Sequence, residues 1–75
     1  MFIKGDRVQI VSQPMMEYTR RVLINLIGET GIVESTDKGD GVYVKLDNPG
    51  YMQLLLPYSN KNGAIEIADE RLRRV

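Results

Sequence analysis

The chain contains no cysteine and no histidine. The first absence rules out a disulfide and a thiolate zinc site. The second removes the usual general base and the usual nitrogen ligand for a metal. Charge of one sign is missing as well, since ten basic residues balance ten acidic ones. The balance also holds locally, with six basic and seven acidic residues up to Asn48 and four and three after it. Neutralising many phosphates takes a concentrated positive field; the linear composition has none, although folding can gather one. Long apolar runs are absent too. Val22-Leu23-Ile24 and Leu54-Leu55-Leu56 fall far short of the roughly 20 residues that span a bilayer, so no membrane partner is expected. The first residues lack the apolar stretch of a secretory signal, and a cytoplasmic location is the expectation.

What is present is ordinary globular material. The 75 residues, 43% hydrophobic and 27% charged, make one domain spanning 1–75. A domain this small buries only roughly 60% of the surface its unfolded chain exposes. One compact core is therefore expected, and contact with a partner or a second copy would help it.

Residues 28–48 carry the strongest structural signal, two β-type runs around the turn Asp37-Lys38-Gly39-Asp40-Gly41. Val42, Val44 and Leu46 alternate with Tyr43, Lys45 and Asp47, the period-2 pattern of a strand with one core face. Before it, Gly28 and Gly31 suggest a turn and then a strand entered where the backbone is crowded, with Ile32 and Val33 as anchors. Val8 and Ile10 alternate with Arg7 and Gln9 in a first strand over 5–11. Pro14 interrupts it and opens a short helix carrying Met15, Tyr18 and Val22 on one face and ending near Leu23. The stretch 24–27 is a connection or a short strand. Asp47-Asn48-Pro49-Gly50 reads as a turn and Tyr51 to Leu56 as a fourth strand. Asn60-Lys61-Asn62-Gly63 is a further turn, followed by a strand over 64–67 with Ile65 and Ile67 inward. A single helical turn at 69–72 precedes a short last strand.

Five to six short strands with glycine- and asparagine-rich turns predict a mainly all-β domain, a small barrel with a helical insertion over 13–27. Gly5-Asp6-Arg7-Val8-Gln9-Ile10, then Gly28-x-x-Gly31-x-Val33 and the strand 42–46, resemble the SH3-like barrels that include KOW domains. The ending 68–75 is similar to the closing turn and last strand of such barrels. The resemblance implies ribosome, RNA or transcription-complex contacts, usually through a basic loop. Here the corresponding loop is the long apolar insertion, whose only cations are Arg20 and Arg21, and the chain is neutral.

No catalytic constellation stands out. Without histidine or cysteine, catalysis would fall to carboxylates, lysine or an activated hydroxyl. A tetrameric SH3-like barrel can also build an active pore from backbone and neutral side chains. Gly28-x-x-Gly31 enters a strand, so it is no phosphate-binding loop. Asp37 and Asp40 are two carboxylates where calcium wants six or more oxygens. The expectation is a non-enzyme without metal, cofactor or small-molecule substrate. Two binding readings remain. In the first, the insertion with Met15, Met16, Tyr18, Arg20 and Arg21, together with Tyr51 and its apolar run, offers surface for a protein partner or a homo-oligomer. In the second, Tyr43, Tyr51 and Tyr58 stack RNA bases while Lys45 and the arginines at 71, 73 and 74 contact its backbone.

Overall fold

A computed structural model describes residues 1–36, 39 and 41–75. Five antiparallel strands form one sheet: β1 (Arg7–Ile10), β2 (Thr30–Thr36), β3 (Gly41–Leu46), β4 (Ile65–Ala68) and β5 (Leu72–Arg74). Their spatial order is β4-β3-β2-β1-β5. Between β1 and β2 lies helix α1 (Glu17–Val22), and between β3 and β4 lie helix α2 (Pro49–Leu55) and a 3₁₀ turn (Leu56–Tyr58). A second 3₁₀ turn (Asp69–Arg71) joins β4 to β5. The hairpin residues Asp37, Lys38 and Asp40 lie outside the described residues.

The strands form where the alternation requires them. Val8, Ile10, Val42, Val44, Leu46, Ile65, Ile67 and Leu72 all turn to one buried face. Tyr18, Leu26 and Leu55 cover that face, and Met16, Val22, Ile24, Tyr51 and Met52 pack around them. The inward pair of β2 is Gly31 and Val33, while Ile32, expected to be an anchor, is 36% exposed. The reason is steric: at position 31 a Cβ would stand 2.6 Å from the Lys45 carbonyl oxygen and 2.7 Å from Val44 Cγ1. Only glycine lets β2 and β3 approach so closely.

Two further expectations are corrected. The stretch Tyr51–Leu56 is helical, not a strand. Asn48 caps it, its side-chain oxygen accepting from the amides of Gly50 at 2.9 Å and Tyr51 at 3.2 Å, and Pro49 takes the first helical position. Tyr51, Met52 and Leu55 then face the core at helical spacing while Gln53 and Leu54 stay exposed. Nor does the sheet close into a barrel. β4 and β5 are its two outer strands, four and three residues long. Edge protection comes partly from a side chain, the Tyr18 hydroxyl donating to the Glu66 carbonyl of β4 at 2.7 Å.

The insertion is tied into the fold at several points. α1 begins at Glu17, three residues after Pro14, and the Thr19 hydroxyl donates to the Pro14 carbonyl at 2.7 Å. Gln13 closes the base, donating to the Ile24 carbonyl at 2.7 Å and accepting from the Leu26 amide at 2.8 Å. Arg71 donates to Ser12 Oγ and to the Gln13 carbonyl, both at 2.9 Å. The stretch 24–27 is a connection. No helix among the described residues is long and apolar enough to cross a membrane.

Candidate partner-binding cleft

Tyr43 and Glu66 are cross-strand partners on β3 and β4. Both stand at the positions that alternate with the core residues Val42, Val44, Ile65 and Ile67, so both turn to the outer side of the sheet. α1 brings Tyr18 alongside, and the first 3₁₀ turn brings Tyr58. With Met16, Ser59 and Asn60 these residues line a cleft of about 260 Å³. Three tyrosines far apart in sequence thus meet at one place.

The walls differ in character. Tyr18 is buried, and burial, reinforced by the neighbouring Glu66 charge and opposed by Arg71, pushes its hydroxyl well above the usual tyrosine range. It stays protonated and serves as a fixed donor to the Glu66 carbonyl. Tyr58 is 39% exposed and forms the accessible aromatic wall. Tyr43 is half-buried between them in character.

The polar wall is anchored from β2. Asn60 Oδ1 accepts from the amides of Asn62 at 2.9 Å and Ala64 at 3.0 Å, folding the turn onto itself. Asn60 Nδ2 reaches Glu34 Oε2 at 3.3 Å, and Asn62 Nδ2 donates to Glu34 Oε1. Glu34 sits at the register shift between Val33 and Ser35, an irregularity of the kind that re-aims a side chain. The Ser35 hydroxyl beside it, then the two asparagine amides and Lys4, hold its carboxyl below the usual glutamate range against an opposing desolvation effect.

Of the residues expected to meet a partner, Met16, Tyr18, Tyr43 and Tyr58 line this cleft. Met15, 72% exposed, borders a smaller recess beside it that shares Met16. Arg20 and Arg21 are exposed on α1, and Arg21 pairs with Glu17 at 3.3 Å. Tyr51 packs against the core. Lys45 borders a separate groove with Leu46, Pro49, Met52 and Leu56. Sequence reasoning missed Ser59, Asn60 and Glu66. Glu66 was findable, being the polar residue between two inward isoleucines; Asn60 was hidden inside a run that reads as a plain turn.

Among the described residues no group of three or more acidic side chains is placed to hold a metal ion. The candidate cation pair Asp37 and Asp40 lies outside the described residues. The cleft is lined by three tyrosine rings together with the polar residues Ser59, Asn60 and Glu66. Comparisons with protein-family models, with curated proteins and with solved structures return no match.

Proposed function

We propose that this chain is a non-catalytic module that binds a partner protein in the cytoplasm, using the tyrosine cleft to hold an extended peptide segment. The cleft itself carries the reading. Aromatic walls provide rigid apolar contact area at low entropic cost, and aromatic-lined grooves are a recurring way of holding extended peptides. Glu66 and Asn60 are among its polar lining residues. The strand order, the 3₁₀ turn before the last strand and the chain-end resemblance support an SH3-like, KOW-like framework.

The test is selection from a displayed library of extended peptides. Selected peptides are expected to bind with micromolar affinity and to lose about tenfold on Tyr58→Ala. Peptides that bind the variant as well as the parent would remove the reading. If sedimentation instead shows a dimer that Tyr58→Ala dissociates, the occupant is a second copy.

RNA binding has one favourable observation. The register sets Arg7, Ile32 and Lys45 in one cross-strand row, with Arg73 opposite Gln9. Arg7 is already paired with Asp47 at 2.7 Å, however, and Arg73 donates to the neutral Gln9 side chain, so one of these three charges is neutralised. Mobility shift across a salt series decides: retention at low salt that falls steeply with added salt is the RNA outcome.

A further inference from the structure

β3 outlasts its partner on one side. It pairs with β4 only from Gly41 to Val44, so Lys45 and Leu46 run on with no β4 residue opposite them. The Leu46 amide donates instead to the Met52 sulfur of α2 at 3.2 Å, and a thioether is a weak acceptor. Where β4 would have continued, a groove of about 460 Å³ opens between β3, α2 and the turn at 62–63, a volume within the range of ligand sites. Pro49, Met52 and Leu56 form one apolar wall of it. Pro49 is exposed and Leu56 is 52% exposed, so that wall is open to solvent.

Two charged residues of opposite sign line the groove, and one is already neutralised. Asp47 Oδ2 accepts from Arg7 at 2.7 Å and from the Thr30 hydroxyl at 2.6 Å. Lys45 is exposed, and its ammonium has no ion pair or hydrogen bond among the described residues. An apolar wall therefore stands beside one open positive charge. Its complement is an aliphatic side chain next to a carboxylate. Nucleic acid, charged at every residue, gains nothing from Pro49, Met52 and Leu56. We infer that this groove takes an acidic, apolar segment of a partner protein, an aliphatic side chain lying against Met52 and Leu56 and a carboxylate of the same segment pairing with Lys45. Met52 is unbranched and adapts its shape to what it meets. The contact does not rest on the tyrosine cleft, which uses Tyr58 and Asn60 of the stretch whose Leu56 and Asn62 line the groove.

The test is an amide-resolved NMR titration of the whole chain with N-acetyl-Leu-Ser-Glu-Ser-Leu amide. In an extended segment its glutamate and both leucines share one face. The same peptide with glutamine or lysine at the centre is the control. Saturable shifts are expected at the amides of Lys45, Met52, Gln53, Leu56 and Gly63, with the glutamine probe about threefold weaker and the lysine probe weaker still. Lys45→Gln should bring the glutamate and glutamine probes to equal affinity, and Leu56→Ser should weaken the glutamate probe severalfold, both with the spectrum of a folded protein. Should either variant unfold, the parent is titrated in about 1 M salt, where the Debye length falls to roughly 3 Å; there it should still bind the glutamine probe and lose its preference for glutamate. Four outcomes overturn the inference: no saturable shifts at these amides, equal binding of the glutamate and glutamine probes by the parent, a preference that survives Lys45→Gln (or high salt, if that is the measurement used), or undiminished binding by Leu56→Ser. A short oligouridylate that shifts the same amides more tightly than the glutamate probe also overturns it.

Discussion

Leu23 is the one non-glycine residue with positive φ among the described residues, at φ 58 and ψ 43. It ends α1 in the left-handed conformation, its amide donating to the Thr19 carbonyl at 3.1 Å, a position that glycine normally fills. The side chain is 84% exposed and contributes little to the core. Leu23→Gly relieves the steric cost of that conformation, which is about 1–2 kcal/mol for an L-residue, and gives back part of it through a freer unfolded chain. The expected result is a net gain of about 0.5–1 kcal/mol, seen as a rise of a few degrees in thermal midpoint. The same residue shows what sequence reading can do at this scale. The end of the helix near Leu23 was legible only as the place where helical and alternating patterns begin to compete; the handedness of the backbone there was not, because nothing about leucine announces it.

At the scale of elements, alternation predicted the strands well. Val8 with Ile10, Val42 with Val44 and Leu46, and Ile65 with Ile67 each fix a face, since a one-residue slip would expose the whole set. The second helix was illegible for a physical reason. Asn-Pro-Gly serves a turn and a helix start equally, and Tyr51 to Leu56 is so apolar that periods of 2 and 3.6 both fit it. The capping by Asn48 decides. Asn48→Ala removes the acceptor for two amides and should destabilise the protein by about 1 kcal/mol, measurable by urea unfolding. If stability is unchanged, the cap is not what selects the helix. The cleft was half legible in the same way: its tyrosines stood out by type, while their meeting depends on α1, β3 and a 3₁₀ turn arriving together.

For the whole molecule, two carboxylates act as ties between distant segments. Asp6 accepts from the Ile3 amide at 2.9 Å and pairs with Arg74 of β5, and these contacts lower its pKa, the Ile3 amide most. Glu34 joins β2 to the turn at 60–62. Both have folded values below their unfolded ones, so both stabilise the fold above the unfolded pKa and lose that contribution as pH falls through the folded one. For Glu34 the unfolded value is near 4.5, and the loss runs from there downward. Urea unfolding of Glu34→Gln, followed from neutral pH into the acid range, should show a flatter acid decline than the parent. A parallel decline in both proteins would mean that the tie carries no stability.

β1 lies between β2 and β5, and its second partner comes from the far end of the sequence: Val8 faces Arg74, and Ile10 faces Leu72. During synthesis the hairpin of β2 and β3 can form as soon as it emerges, but β1 then waits with one side unpaired. The sheet is not complete until residue 74 has cleared the ribosomal exit. For the interval in which some sixty intervening residues are made, at about 5–20 residues per second, the nascent chain exposes an unpaired strand for several seconds, the window in which a chaperone would meet it.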